Sequence, residues 1–265
     1  FRRLLGVFAA SASTGNRTSD ALHEALNGDK QPLVEEVGFS SERKWSAIAF
    51  DTDAIKGVYV LGAPEMLRPN LKVGTSVDNQ LAEWEEQGLR VLLFANYHAV
   101  VALHNADADP LLPKDLTALG AIAFSDELRP EAEATLKQFA ENGIQLKIIS
   151  GDNPNTVAAL AKQAGLDGTI NVVSGLDLEH MNPIQFAEAA ERSTIFGRIT
   201  PQQKERLVGA LRASGHYVAM IGDGVNDVLS LKRAQIGIAM QSGSQATRGV
   251  ADIVLLNDSY AALPS

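Results

Sequence analysis

From Leu116 onward the chain repeats a strand-then-helix pattern, and that repetition limits the fold more than any other feature. Apolar Leu119–Phe124 precedes a helical stretch over Pro130–Asn142, and Ile144–Ile149 precedes one over Pro154–Ala164. A helical insert near Ile184–Glu191 is followed by helix Pro201–Ala213 and strand Tyr217–Ile221. A helical Val228–Arg233 and strands near Ile236–Ala239 and Ile253–Leu255 complete the series. Parallel strand pairs need crossover connections, and helices of this length supply them. The pattern predicts an α/β fold, a doubly wound parallel sheet with its chemistry at the carboxyl ends of the strands.

The first hundred or so residues follow a different rule. A short helix ends near Ser13-Thr14-Gly15, and a second begins after Thr18 with Ala21, Leu22, Ala25 and Leu26 at helical spacing. Strand-like Leu33–Val37, Trp45–Phe50 and Gly57–Leu61 follow, with polar Asp51–Lys56 as a hairpin connection. A helix over Val77–Gln87 stops at Gly88, and Leu89–Ala95 reads as another strand. The polar, proline-broken Asn105–Pro110 with Pro113 marks the boundary, which predicts an α+β domain over 1–112 and the α/β domain over 113–265. At 265 residues the chain can supply a core to each.

Charge and composition exclude some partners. A net charge of −9 offers no attraction for nucleic acid, and the absence of cysteine removes disulfides and thiolate metal sites. No window approaches the roughly 20 continuous apolar residues of a membrane span.

Three sites carry phosphate-like chemistry. Apolar Tyr217–Ile221 stops at Gly222-Asp223-Gly224-Val225-Asn226-Asp227, placing hard oxygen ligands suited to Mg²⁺ at a sheet rim. The turn alone reads as an Asp-Gly turn with an Asx cap, but two carboxylates at the end of a buried strand call for a cation or a proton. Ser150-Gly151-Asp152 ends a strand and opens a helix, where a hydroxyl and backbone N–H groups cradle phosphate or simply cap the helix. Lys204 lies in the first turn of a helix, against the dipole, which suits a fixed anion nearby as well as a solvated side chain.

Together these segments resemble the second, third and fourth motifs of haloacid dehalogenase-type phosphoryl transferases. The run from Met220 to Met240 is similar in particular to P-type cation-transporting ATPases, as are Asp126–Pro130, Phe196–Pro201 and Ala251–Leu255. The resemblance covers nearly the whole chain. It implies a nucleotide-binding domain followed by a phosphorylation domain lacking its first strand and nucleophile loop. Phe39-Ser40-Ser41-Glu42-Arg43-Lys44 resembles the family segment whose ring stacks on adenine and whose lysine lies near the phosphates. An exposed ring offers stacking area and a neighbouring cation neutralises phosphate, although Phe39 alone would read as a core residue. Gly62-Ala63-Pro64-Glu65 matches a family turn, and Gly88-Leu89-Arg90 a second arginine site.

The resemblance therefore implies ATP as substrate and Mg²⁺ as cofactor. Lys204, Ser150, Asp152 and Asp227 are the expected catalytic group, and Asp223 with Asp227 the metal ligands. Phe39, Lys44, Arg90, Ser150, Gly151, Asp152, Arg198 and Asn226 are the expected nucleotide and phosphoryl contacts. Leu61 stands where the family usually has lysine, which removes a cation from the nucleotide pocket. The family's nucleophile lies in an Asp-Lys-Thr-Gly-Thr sequence, and none occurs here. Asp51-Thr52-Asp53 is rejected as a substitute because it lacks the following Gly-Thr and sits in a hairpin turn. The expectation is a piece of a larger membrane protein, on the cytosolic face. Its transmembrane and actuator domains would lie outside this chain, and its cargo would be calcium or another hard cation. A free-standing phosphatase of the same superfamily, or a non-catalytic nucleotide-binding module, are the alternatives.

Overall fold

Trp45-Ser46-Ala47-Ile48-Ala49-Phe50 is apolar on both sides of a strand, and a computed structural model, describing residues 1–13, 15, 17–72, 78–125 and 128–263, buries both sides. Expectations at Thr14, Val77, Asp126 and Glu127 lie outside the described residues. The chain divides into two compact units, Phe1–Trp84 with Leu89–Phe124, and Glu85–Gly88 with Ser125–Ser265.

In chain order the early elements are α1 (Arg2–Ser11), α2 (Arg17–Ala25), β1 (Glu35–Val37), β2 (Trp45–Asp51), β3 (Lys56–Gly62), α3 (Pro64–Leu67), α4 (Asp78–Glu86), β4 (Arg90–Tyr97) and β5 (Thr117–Phe124). The strands form one antiparallel sheet in sequence order. Side chains alternate across a strand, so each face collects its own core. Trp45, Ala47, Ala49, Val58, Val60 and Leu93 pack with Leu67 and the Leu103–Leu116 segment on one face. Ile48, Phe50, Tyr59, Leu61 and Phe94 pack under Leu5, Phe8 and Leu22 of the first two helices on the other. The Asp51–Lys56 hairpin is closed by a 2.6 Å ion pair between those residues and by Thr52 N–H donating to the Ile55 carbonyl.

The Leu119–Phe124 strand departs from its expected place. It is part of β5, paired antiparallel with β4 from Arg90↔Phe124 to Asn96↔Thr117, so it is the last strand of the first sheet and the division follows Phe124, not residue 112. Leu119, Ile122 and Phe124 pack on the helix-covered core and Ala118 and Ala121 on the other. Locally it precedes a helix exactly as a crossover strand would; only the long-range pairing distinguishes the two cases.

The second unit runs α5 (Ala132–Glu141), β6 (Ile148–Ile149), α6 (Pro154–Gln163), β7 (Val172–Ser174), α7 (Gly175–Glu179), α8 (Pro183–Arg192), β8 (Ile195–Gly197), α9 (Pro201–Ala213), β9 (Ala219–Gly222), α10 (Val228–Arg233), β10 (Ile236–Met240), α11 (Gln245–Val250) and β11 (Ile253–Leu255). All its ladders are parallel, as the alternation predicts, but they form two three-stranded sheets, β6-β8-β7 and β11-β10-β9. Strand β6 pairs over two residues only, and the preceding Lys147 turns its ammonium to the Glu191 and Ser193 carbonyls, 2.8 Å from each. Helix starts are encoded locally: Asn153, Asn182 and Thr200 each cap a helix whose next residue is proline. The carboxyl ends of β6, β8, β9 and β10 lead into Ser150, Arg198, Asp223 and Gln241, which sets the chemistry-bearing segments at strand ends.

Candidate functional site

The Gly222–Asp227 turn is built around one carboxylate. Asp227 Oδ1 lies 2.6 Å from Lys204 Nζ, with the side chains only 8% and 14% exposed. Its Oδ2 accepts the backbone N–H groups of Asp223 and Gly224 at 3.2 and 3.1 Å. Gly222 is required beneath it, since a Cβ there would fall 2.5 Å from Asp227 Cβ. Lys204 reaches Asp227 because Thr200 and Gln203 form a capping box that starts α9 one turn earlier. The anion inferred from Lys204's place in a first helical turn is thus present within the chain.

Both Asp227 oxygens accept hydrogen bonds from within the chain, whereas the other expected metal ligand, Asp223, is open to solvent. The Asp223 residue is exposed, and its carboxylate makes no hydrogen bond or ion pair among the described residues. Mg²⁺ commonly takes one or two carboxylates and completes its shell with water and phosphate oxygens. One exposed hard-oxygen ligand fits that habit, and no group of three acidic or histidine side chains forms an all-protein cage among the described residues. Asn226 is exposed.

A second loop is joined to this one through α9. Ser150 N–H donates to the Phe196 carbonyl at 2.8 Å, and Ile199 N–H donates to the Ser150 carbonyl at 3.0 Å. Arg198 N–H donates to the Asp152 carbonyl at 2.8 Å, and Arg198 Nη1 to the Gly151 carbonyl at 3.2 Å. Arg198 holds a left-handed backbone, φ 55°, in making these contacts. Asp152 N–H donates to Ser150 Oγ at 3.1 Å, which leaves the hydroxyl proton available to another acceptor. The structure therefore brings Ser150, Gly151, Asp152 and Arg198 into one cluster and Lys204, Asp223 and Asp227 into another. Residues 199–204 connect them.

Ser244 and Thr247 were not foreseen. They open α11 at the far side of the turn, where Ser244 N–H donates to the Asp223 carbonyl and Thr247 Oγ1 to the Gly224 carbonyl, each at 2.8 Å. The available signal was Ser244 as an N-cap three residues before a hydroxyl, after a strand end; no apolar run followed to mark a helix.

In the first unit, Phe39 is 48% exposed, unlike a core residue. Its loop is tied by Arg43 Nη2 donating to the Gly38 carbonyl at 2.8 Å and by the Arg43 guanidinium 5.6 Å from the Trp45 ring centre. Lys44 adopts φ 61°, with its N–H on the Ser40 carbonyl and its carbonyl accepting from Ala63 N–H. Trp45 pairs with Gly62 and Gly62 with Leu93, so Arg90 lies just past the same end of the sheet. Arg90 donates to Thr18 Oγ1 and lies 5.5 Å from the Phe124 ring centre. Leu61 is 7% exposed in the helix-covered core, a site that suits leucine and not a solvated cation.

A family model described as a haloacid dehalogenase-like hydrolase matches residues 14–235. The chain is 38% identical over 262 residues to the calcium-transporting ATPase CtpE of Mycobacterium bovis, covering 98% of this chain and 31% of that protein. It is 35% identical over 265 residues to the probable cation-transporting ATPase exp7 of Streptococcus pneumoniae, covering 98% and 32%. Against the cation-transporting ATPase pma1 of Synechocystis it is 36% identical over 273 residues, covering 97% and 29%. The chain thus spans about a third of the length of these relatives. Among the described residues no helix is long and apolar enough to cross a membrane.

Proposed function

The chain belongs to the haloacid dehalogenase-like hydrolase family, and from that premise we propose that it is the ATP-binding and phosphoryl-transfer part of a P-type cation-transporting ATPase. The observation that carries this reading is the Asp223 turn locked by the Lys204–Asp227 pair at the carboxyl end of β9. The names of the relatives support a cation as cargo, and one of them, from Mycobacterium bovis, supports calcium. Transmembrane and actuator domains of a longer protein, at the cytosolic face of a membrane, are part of the same proposal.

The chemistry follows from charge placement. Mg²⁺, when bound, would draw charge from the transferring phosphoryl group and align its oxygens. Asp223 presents the carboxylate that holds it, and Asp227 keeps that turn in place. Lys204 has three N–H donors and commits one to Asp227, leaving two for phosphoryl oxygens. The Ser150 hydroxyl and the Gly151 N–H donate to the same group, with Arg198 and Asp152 holding their loop. Phe39, with Lys44 and Arg90, binds the nucleotide by stacking and charge. No Asp-Lys-Thr-Gly-Thr sequence occurs in the chain, so the aspartate that attacks ATP and forms the aspartyl-phosphate is assigned to the longer protein. Splitting one difficult hydrolysis into two steps is the gain of such an intermediate.

Labelled ATP tests the assignment. The longer protein should take up acid-stable, hydroxylamine-labile label, lose it on Lys204→Ala, and the isolated chain should take up none. Label on the isolated chain would revive a free-standing phosphatase with its own nucleophile. Asp51 is a poor one, since it is committed to the hairpin ion pair with Lys56. Nucleotide binding with no phosphorylation in either form would instead support a non-catalytic module.

A further inference from the structure

We infer that Thr247, with Ser244, is a positioning residue for Asp223: it fixes the main chain from which that carboxylate is presented. The inference rests on the reading of Asp223 as the Mg²⁺ ligand.

The turn's two central peptides are held on both sides. Asp227 takes the N–H groups of Asp223 and Gly224, as described, while the first turn of α11 takes their carbonyls. Ser244 N–H donates to the Asp223 carbonyl at 2.8 Å and Thr247 Oγ1 to the Gly224 carbonyl at 2.8 Å. The two hydroxyls lie 2.5 Å apart, and the direction of their bond can be worked out. Each hydroxyl has one proton, and Thr247 spends its own on Gly224, so Ser244 Oγ donates to Thr247 Oγ1. Ser244 Oγ in turn accepts the Thr247 N–H at 3.1 Å. Thr247 is fully buried, so no water competes for its bond. Close seating of α11 also needs Gly243, where a Cβ would fall 2.8 Å from the Asp223 carbonyl oxygen.

With N–H and carbonyl groups on both sides engaged, the backbone at Asp223 has little freedom left. Its carboxylate, exposed and without a hydrogen-bonding partner among the described residues, is the one group of the residue not tied down. A ligand held in place loses less freedom on binding a cation than one on a mobile turn. Valine has nearly the shape of threonine but cannot donate. Thr247→Val therefore frees the Gly224 carbonyl without opening a cavity.

Mn²⁺ titrated into the chain and followed by electron paramagnetic resonance, well below the unfolding temperature, provides the test. Wild type should bind at a site that Asp223→Asn removes. Thr247→Val should weaken binding roughly fivefold, the order expected for one buried hydrogen bond, while the far-ultraviolet circular dichroism is unchanged. Thr247→Ser, which keeps the hydroxyl, should restore it. If Thr247→Val fails to fold, Ser244→Ala carries the test through the same relay, with roughly a twofold weakening expected. Wild-type affinity in Thr247→Val, or in Ser244→Ala where it stands in, would overturn the inference and leave the Asp223 reading intact. Undiminished binding in Asp223→Asn would overturn the reading itself.

Discussion

The Phe39–Lys44 loop and the Gly222–Asp227 turn each present one exposed functional group, but different forces hold them. The first is tied by single, part-buried hydrogen bonds and by Arg43 lying over the buried Trp45 ring. The second is closed around a nearly buried ion pair, with backbone bonds converging on both sides. Stacking tolerates small displacements of a ring, since every purine face is broad. Metal and phosphoryl geometry do not, and the turn is accordingly the more constrained of the two.

The largest effect should come from breaking the buried pair. Asp227→Ala leaves the Lys204 ammonium and two backbone N–H groups without their acceptor. The expected loss is about 3 kcal/mol, at the low end for one partner of a buried ion pair because Lys204 keeps some solvent contact. Arg43→Ala, the corresponding cut in the first loop, should cost about 1 kcal/mol. Urea denaturation of both variants checks the contrast, and equal losses would erase it.

Next in size is Leu61→Lys. The family resemblance places a lysine there, yet Leu61 packs against Phe94 and the α1 face. Introducing the charge should lower stability by about 2 kcal/mol, the penalty of an unpaired polar group in an apolar core after partial escape to solvent. Equilibrium unfolding measures that loss. A fluorescent ATP analogue should bind no better than to wild type.

Phe39→Ala should divide binding from stability. The ring is exposed, so unfolding should shift by less than about 0.5 kcal/mol. Adenine stacking should nevertheless lose about 1 kcal/mol, roughly a fivefold weaker dissociation constant for ATP by calorimetry. A large stability loss with unchanged nucleotide affinity would return Phe39 to the core.

How much of this was legible depends on the range over which each feature is encoded. Helix α9 was read at its observed bounds because Thr200, Pro201 and Gln203 specify its start locally. The hairpin at Asp51–Lys56 was legible for the same reason. Strand β5 was misassigned because its partner β4 is brought to it across the intervening Asn105–Lys114 connection, and nothing local marks an antiparallel neighbour. Short β7 and β8 pass unread, since three residues carry no periodicity. In the site, Lys204 and Asp227 were both identified but not their mutual bond, which makes Asp227 a brace of the turn. Thr247 was invisible because its role lies in one hydroxyl meeting a carbonyl 23 residues earlier in the chain.

The smallest effect tests where the two units should behave alike. Glu35 in the first and Glu191 in the second each sit beside an imidazole, with His104 Nδ1 at 2.5 Å and His216 Nε2 at 2.8 Å. The histidine hydrogen bond holds the Glu35 carboxyl below the usual glutamate range, helped by the Leu103 N–H and opposed by burial. His216 does the same for Glu191, against burial and with help from Ser214 and Lys147. A carboxyl depressed in the folded state stabilises above its unfolded pKa, and that contribution fades as pH falls through the folded one. Both pairs are partly solvated, so each contribution is small. Thermal unfolding from neutral pH down through the carboxylate range should show a shallower acid limb in Glu35→Gln and in Glu191→Gln than in wild type. An acid limb as steep as wild type in Glu35→Gln, with flattening confined to Glu191→Gln, would mean that the two units part company here too.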